Sequence, residues 1–236
     1  MPVITFANTK GGAGKTTATL ILASELSRRG HRVTIIDADP RGWISRWHGL
    51  AARSANLSVV SGVTDETIEQ AVAKARKRGG YILVDLPSTQ DALMAKAVGL
   101  ADHVLIPVQG CAMDAAGGAD VLDLLRELDA RCGIAIPHSV VLTRVNSAVT
   151  TRALQAAKDF LEARGIRTLG NPIAERAAYR DIFGKGGTLQ ALDINEVSNL
   201  DKALENAARL VDEVLALMPE RAARPAARKT ALKAAA

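Results

Sequence analysis

Two lysines flank a glycine-rich loop near the start of the chain, in the stretch Lys10-Gly11-Gly12-Ala13-Gly14-Lys15-Thr16-Thr17. Glycines free backbone N–H groups to point at an anion, and a helix that begins after them adds partial positive charge. Lys15 would reach the β and γ phosphates of a nucleotide, and the Thr16 hydroxyl would ligate Mg²⁺. The loop therefore predicts a site for a nucleoside triphosphate and its magnesium ion.

The sequence on either side of this loop has the character that such a site needs. Residues 3–7 (VITFA) read as a buried strand, and residues 18–23 (ATLILA) read as the start of a helix. The strict pattern G-x-x-x-x-G-K-[ST] is missed by one residue, because Thr9 stands where its first glycine belongs. A glycine-rich turn without nucleotide is the alternative, and the strand before and the helix after favour the nucleotide site.

Two further apolar runs end in aspartate. Residues 33–36 lead into Asp37-Ala38-Asp39-Pro40, and residues 81–84 lead into Asp85-Leu86-Pro87. A carboxylate after a buried strand can hold Mg²⁺ directly or through water. Aspartate also ends strands for turn reasons, so each run alone is a weak signal. Because ligands bind beyond the carboxyl ends of strands in α/β sheets, the two runs and the loop together predict one site.

Apolar, β-branched runs alternate with helical stretches along the chain, which is typical of βαβ units. We predict an α/β fold, a doubly wound and mostly parallel sheet flanked by helices. Strands are expected near residues 2–7, 32–37, 57–60, 81–85, 103–107, 138–143 and 166–169. Helices are expected near residues 15–29, 41–49, 65–78, 90–100, 113–131, 150–164, 175–183 and 196–217.

The length of 236 residues suits one α/β domain, which we place at residues 1–218. Residues 219–236 hold five basic side chains and one acidic one, so they carry +4 of the net charge of +5 and predict a basic, alanine-rich, flexible tail. Because the predicted first strand starts within the first few residues, we expect no secretion signal and a cytoplasmic location. Cys111 and Cys132 form no C-x-x-C pair and are expected to fill the core or pack helices.

The form K-G-G-x-G-K-[ST]-T at residues 10–17 resembles the deviant Walker A box of the ParA/MinD ATPases. In the same way, I-I-D-A-D-P at residues 35–40 resembles their Walker A′ box, and I-L-V-D-L-P at residues 82–87 resembles their Walker B box. The resemblance covers about residues 2–217. It implies a P-loop NTPase of the deviant Walker A type, with ATP and Mg²⁺ as cofactors and with hydrolysis that is weak alone and stimulated by a partner.

The resemblance also implies roles for single residues. Asp39 resembles the aspartate that orients the attacking water, while Thr16, Asp37 and Asp85 resemble the magnesium ligands. Lys10 resembles the signature lysine that reaches the nucleotide of the partner subunit, with a solvated loop lysine as the alternative. The implied catalytic residues are thus Lys10, Lys15 and Asp39. The implied nucleotide-binding residues are Lys10, Gly11, Gly12, Ala13, Gly14, Lys15, Thr16, Thr17, Pro172 and Ile173. Pro172 and Ile173 belong to a segment that flanks the adenine in relatives, with a plain loop as the alternative interpretation.

Other segments narrow the type of ATPase. The loop begins at residue 10, so the N-terminal helix-turn-helix of the longer ParA proteins is not expected and the short ParA type is favoured. Short segments at 45–47, 136–137 and 175–176 are similar to VirC1, an accessory ATPase of DNA transfer. Residues 104–108 followed by 114–118 resemble the segment at the dimer face of the family, although residues 109–113 replace its usual Pro-Ser turn.

The first functional hypothesis is a partition ATPase. ATP would close a homodimer, the dimer would bind DNA without sequence preference on the nucleoid, and a ParB-like or other adaptor would trigger hydrolysis. Basic side chains would contact phosphates, with a merely solvated basic surface as the alternative. The candidates are Arg144, Arg152, Arg176, Arg180 and Lys185, with Arg221, Arg224, Arg228, Lys229 and Lys233 in the tail.

Three other functions are weaker hypotheses. A MinD-like membrane switch needs a C-terminal amphipathic helix, whereas the tail has Leu232 as its one large apolar residue, so a membrane partner is not expected. A VirC1-like role in DNA transfer rests on the short similarities alone. A metal-cluster enzyme needs cysteines near the dimer axis, and neither Cys111 nor Cys132 has the required spacing.

Overall fold

The computed structural model describes residues 1–50, 54–109, 112–146 and 152–218. Strands and helices alternate along these residues. The strands are Val3–Phe6 (β1), Val33–Asp37 (β2), Leu57–Val60 (β3), Tyr81–Asp85 (β4), His103–Gln109 (β5), His138–Val145 (β6) and Ile173–Ala174 (β7). The helices are Lys15–Arg28 (α1), Trp43–Leu50 (α2), Ile68–Arg78 (α3), Ala92–Leu100 (α4), Ala112–Cys132 (α5), Arg152–Glu162 (α6), Ala177–Lys185 (α7) and Leu200–Ala216 (α8).

All seven strands form one parallel sheet in the order β3-β2-β4-β1-β5-β6-β7. The chain leaves β1 toward β2 on one side of the sheet and later returns to β5 on the other side. The direction of winding therefore changes at β1, and the crevice at its carboxyl end is the place where open α/β sheets bind ligands. The predicted fold class is confirmed.

Neighbouring residues of one strand pack into different cores, which shows that the sheet is buried on both faces. Val3 belongs to the core that includes buried residues of α3, α4, α5 and α6, while Ile4 belongs to the core with α1, α2, α7 and α8. Ile36 and Ile35 divide in the same way. Continuous apolar runs are what a parallel sheet between two helix layers requires.

The seventh strand is the one element that the sequence prediction placed wrongly. In the predicted range 166–169, only Thr168 forms a bridge to Val140 of β6, and β7 lies later, at Ile173–Ala174. The pairing is interrupted because the backbone N–H groups of Gly170 and Asn171 donate to the carboxylate of Glu213. The next residue is a proline, which has no N–H to donate.

Other sequence expectations concern helices and cysteines. In α8, Leu210, Val211 and Val214 are buried against the sheet, as expected of a packed helix. Among the described residues, no helix combines the length and the hydropathy that a membrane span requires. Cys132 is half-buried beside the core, as expected, whereas Cys111 and the tail from residue 219 lie outside the described residues.

Candidate nucleotide-binding site

The loop at residues 10–14 joins β1 to α1, and two of its glycines adopt backbone angles that favour glycine. Gly12 has a φ of 81° and Gly14 a φ of 100°, values that side chains with a Cβ rarely allow. Gly14 directly precedes α1 and turns the chain into the helix. The first N–H groups of α1 have no partner inside the helix and are available to an anion.

Two side chains from neighbouring strands hold the outer side of this loop. Thr143 of β6 donates its hydroxyl to the carbonyl of Ala13 at 2.8 Å, and Gln109 of β5 donates its amide to the carbonyl of Gly12. Neither residue is among the site residues predicted from the sequence. A signal for them exists, since both are polar residues near the carboxyl end of a strand, like the predicted aspartates Asp37 and Asp85.

Lys15 begins α1 with its side chain buried under the loop. Its Nζ donates to the carbonyl oxygens of Asn8 at 2.9 Å and Lys10 at 3.3 Å, and to the hydroxyl of Ser88. Burial lowers the pKa of Lys15, while the nearby carboxylates of Asp85 and Asp39 raise it. The ammonium group is thus held at the loop. A phosphate group bound there would supply a negative charge that offsets the cost of burying this cation.

Asp37 and Asp85 are neighbours across the β2–β4 pair, at the last residue of each strand. The Thr16 hydroxyl donates to Asp85 Oδ2 at 2.9 Å. Burial raises the pKa of Asp85 to about 7, and the carboxylates of Asp37 and Asp39 act in the same direction, against the Thr16 hydrogen bond and the charge of Lys15. Two buried carboxylates side by side repel each other, and a bound cation would offset this repulsion.

These residues fit a magnesium ion. One oxygen of Asp37, Oδ2, accepts hydrogen bonds from the backbone N–H of Ser45 at 2.8 Å and from its hydroxyl at 2.5 Å. The other oxygen, Oδ1, is buried and has no hydrogen-bond partner among the described residues. Among the described residues, no group of three or more His, Cys, Asp or Glu side chains is arranged to hold a metal ion by itself. A hard cation held here would therefore take its other ligands from phosphate and water.

The two remaining predicted catalytic residues lie at the rim of the site. Asp39, in the turn after β2, accepts a hydrogen bond from the backbone N–H of Arg41 at 2.9 Å. It is close enough to Lys15 and Asp85 to influence the pKa of both. Lys10 is half-buried, and its backbone N–H donates to Asn8 Oδ1 at 2.8 Å.

A cavity of about 470 Å³ opens beside the loop. Of the two residues predicted to flank the adenine, Ile173 lines this cavity, whereas Pro172 is not among the described lining residues and accepts a hydrogen bond from Asn206 through its carbonyl. The described residues that line it are Gly14, Thr17, Thr143, Arg144, Ile173, Ala174, Glu175, Arg176, Tyr179, Arg180 and Phe183.

The predicted DNA-binding residues divide into three that line this cavity and two that lie elsewhere on the surface. Arg144, Arg176 and Arg180 line it, and Arg176 Nε is buried with no hydrogen-bond partner in the described part of the chain. Arg152 is exposed at the start of α6, and Lys185 is exposed at the end of α7. Arg180 and Lys185 form surface ion pairs with Glu175 and Glu196, respectively.

Part of the predicted dimer-face segment can also be placed. Its first part, residues 104–108, lies within β5, and Gly117 and Gly118 are buried in α5. The structure does not describe the side chains of residues 112–115. The predicted DNA-binding residues of the tail also lie outside the described residues; they are Arg221, Arg224, Arg228, Lys229 and Lys233.

Comparisons with known proteins show which family this chain resembles. The family model described as VirC1 protein matches residues 1–222. Protein ParA from Rhizobium radiobacter is 33% identical over 207 residues, which cover 88% of this chain and 93% of the relative. Maintenance of carboxysome distribution protein A (McdA) from Halothiobacillus neapolitanus is 28% identical over 205 residues, covering 82% and 93%. The structure of a McdA–ATP complex from Cyanothece has a TM-score of 0.69 at 18% identity and covers 95% of this chain and 99% of that one.

A phosphate loop at the switch point of a parallel sheet, with aspartates at the ends of two strands beside it, defines a P-loop NTPase of the ParA/MinD type. The match to the family model spans well over half of the chain. The chain therefore belongs to the VirC1 family, within the ParA/MinD group of ATPases. The predicted resemblance to that group is confirmed.

Proposed function

We propose that this protein is an ATPase that dimerises around ATP, binds DNA without sequence preference, and partitions or positions DNA or another large cargo. Hydrolysis, slow in the isolated protein, is stimulated by a ParB-like or other adaptor. The ATP-bound dimer lies in the cytoplasm on the nucleoid, and hydrolysis releases it. The observation that carries the proposal is the contact of 2.9 Å between the Thr16 hydroxyl and Asp85, beside the buried ammonium group of Lys15.

Support for ATP and Mg²⁺ comes from the arrangement of charge. The loop N–H groups and Lys15 suit the phosphates, and Thr16, Asp37 and Asp85 suit the metal ion. A bound Mg²⁺ would neutralise charge that develops on the phosphates. The cavity next to Gly14 and Thr17 has a volume suitable for a nucleobase and its ribose.

In the proposed reaction, each predicted catalytic residue has one task. Asp39 orients the attacking water, and Lys15 holds the β and γ phosphates of its own subunit. Lys10 brings its charge to the nucleotide of the partner subunit, as an arginine finger does. Because this last contact needs two chains, hydrolysis depends on dimerisation.

Support for DNA binding comes from exposed basic side chains. Arg152 is exposed, and the ion pairs of Arg180 and Lys185 lie at the surface, where such pairs contribute little to stability and are readily exchanged for contacts with phosphate. The basic tail adds charge of one sign. Phosphate contacts of this kind give affinity without sequence preference.

Three measurements test the proposal in order. Calorimetry with a non-hydrolysable ATP analogue and Mg²⁺ should detect one site per chain, and sedimentation with that analogue should show a dimer. Duplex DNA binding should require ATP and should fall steeply as salt rises. The Lys15→Ala variant is the control and should fail all three. A wild-type protein that stays monomeric with the analogue, or binds DNA equally well without nucleotide, contradicts the proposal.

The match to the VirC1 family supports a second candidate function, that of an accessory ATPase in DNA transfer. Deletion of the gene that encodes this protein distinguishes the two candidate functions. Loss of a partition ATPase raises the fraction of cells that lose the cargo DNA, whereas loss of a transfer ATPase lowers only the transfer frequency. A MinD-like membrane role has no support from α8, whose apolar residues pack on the sheet. Co-flotation of the protein with liposomes in the presence of ATP would support such a membrane role.

A further inference from the structure

Asn8, two residues after the end of β1, is a fully buried polar residue whose amide oxygen and nitrogen both form hydrogen bonds. Its Nδ2 donates to the carbonyl of Pro107 in β5 at 2.7 Å, and its Oδ1 accepts the backbone N–H of Lys10 at 2.8 Å. A side chain that is held at one end by a central strand keeps its other end in a fixed position. Asn8 therefore fixes the backbone of Lys10 relative to the sheet.

Helix α5 lies against the same side chain through a glycine. A Cβ at Gly117 would lie 2.4 Å from Asn8 Oδ1 and 3.0 Å from both the Cβ and the backbone nitrogen of Lys10. The first distance is far below a normal contact, so a residue with a Cβ at this position would displace the Asn8 amide or the loop. Only glycine leaves room for the hydrogen bond between Asn8 and Lys10.

A second contact joins α5 to the residue between these two. The Thr9 hydroxyl donates to Asp120 Oδ2 at 2.6 Å, and the Thr9 backbone N–H points to the carbonyl of Gly117 at 3.4 Å. The backbone that presents Lys10 is thus held from two directions, by β5 through Asn8 and by α5 through Thr9.

We infer that Asn8 is a positioning residue for Lys10, and that Gly117 is the position in α5 that allows it to act. The inference rests on the proposed function, in which Lys10 reaches the nucleotide of the partner subunit. A misplacement of about 1 Å at a catalytic group can cost a hundredfold in rate. Lys15 stands on α1, and its Nζ donates to the Ser88 hydroxyl as well as to the carbonyls of Asn8 and Lys10. Because the Ser88 contact lies outside the displaced segment, the nucleotide of the same subunit should still bind.

The test uses two variants and a matched control. Asn8→Ala removes the acceptor for the Lys10 N–H, and Gly117→Ala displaces that acceptor. Gly49→Ala is the control, because Gly49 is exposed near the end of α2 and no described atom lies within 4 Å of the Cβ that it would add. Thermal melting establishes that each variant is folded.

The expected result is a separation of two properties. Nucleotide affinity of Asn8→Ala and Gly117→Ala, measured with a fluorescent ATP analogue, should change by less than about threefold, while single-turnover hydrolysis falls by tenfold or more, on the order that misplacement produces. Dimer formation with the non-hydrolysable analogue should weaken in parallel. Gly49→Ala should remain within about twofold of the wild type in both properties, because its Cβ enters open space and leaves the Lys10 backbone in place.

A double variant distinguishes positioning from general damage to the fold. If Gly117→Ala acts through Asn8, it should add little further loss in the Asn8→Ala background. Either single variant decides the question if the other fails to fold. The inference is overturned if a folded single variant hydrolyses ATP at the wild-type rate, or if its affinity and rate fall together. Failure of the proposed function would differ, because the wild-type protein itself would then neither dimerise nor hydrolyse ATP.

Discussion

The side chain of Thr143 occupies the space that a Cβ on Gly14 would need. An added Cβ at Gly14 would lie 3.1 Å from Thr143 Cγ2 and 3.3 Å from Thr143 Oγ1, while the same hydroxyl donates to the neighbouring carbonyl of Ala13. Glycine is required at this position both by its φ of 100° and by this neighbour. The shape of the phosphate loop therefore depends on β6, more than 120 residues away in sequence.

Thr143→Val should weaken nucleotide binding while keeping most of the packing against Gly14. The variant leaves the buried carbonyl of Ala13 without its donor, which costs about 1 kcal/mol or roughly a fivefold loss of affinity if the loop becomes less ordered. Calorimetric titration with the non-hydrolysable analogue measures the change. Thr143→Ser keeps the hydroxyl and should restore most of the affinity, and a Ser variant as weak as the Val variant would contradict this account.

Lys15→Ala and Lys10→Ala should have different defects. Lys15 is buried under the loop and is expected to contact the phosphates of its own subunit, so its loss should reduce nucleotide affinity by about a hundredfold, in the range for losing a buried charge partner. Lys10→Ala should bind nucleotide nearly as the wild type does and should fail in hydrolysis. Fluorescent-nucleotide titration and a phosphate-release assay on both variants provide the comparison. Equal loss of nucleotide affinity in the two variants would remove the distinction between the lysines.

Asp39→Ala should bind ATP and remain dimeric. Asp39 lies at the rim of the site, and within the described part of the chain its side chain contacts its own turn through Arg41, so nucleotide binding should survive its removal. Without a group to orient water, hydrolysis should stop with ATP still bound. Sedimentation with ATP itself should show a long-lived dimer, where the wild-type dimer decays. A variant that is monomeric with ATP would assign Asp39 to binding instead.

The protein should lose stability between pH 7.5 and pH 5 through His103. Burial lowers the pKa of His103 to about 4, with His138 and Arg167 acting in the same direction, and its Nε2 lies 3.2 Å from the hydroxyl of Ser139. Because the folded-state pKa lies below the unfolded value of about 6.5, the contribution is complete above pH 6.5 and is lost as the pH falls toward 4.

The expected loss from this histidine is about 2 kcal/mol at pH 5. Urea unfolding at the two pH values measures it, with His103→Gln as the comparison. The variant cannot gain this proton, so its unfolding free energy should change less over the same interval. An equal pH dependence in the two proteins would assign the loss to other groups.

Part of the site could be read from the sequence because its signals are local. The loop at residues 10–17 is contiguous, and Asp37 and Asp85 each follow an apolar strand directly. Parallel strands bring their carboxyl ends to one edge, so the meeting of these residues follows from the fold class alone. The roles of single residues stay predictions. They include those of Lys10, Pro172 and the arginines that are predicted to contact DNA.

Other residues could not be identified in this way because their importance comes from contacts between distant elements. Asn8 matters through Pro107 and Gly117, and Gln109 matters through the carbonyl of Gly12. The position of β7 depends on Glu213 of α8, which takes the N–H groups of Gly170 and Asn171.

The amino-acid sequence by itself determined the class of the protein and brought the loop, Asp37 and Asp85 together in one predicted site, since local patterning and the rules of parallel sheets are enough for both. Only the tertiary structure decided how these residues are held, where the last strand lies, and which side chains line the cavity beside the loop. The physical reason is that such contacts depend on distances of a few tenths of an ångström between elements far apart in the chain, such as Gly117 and Asn8.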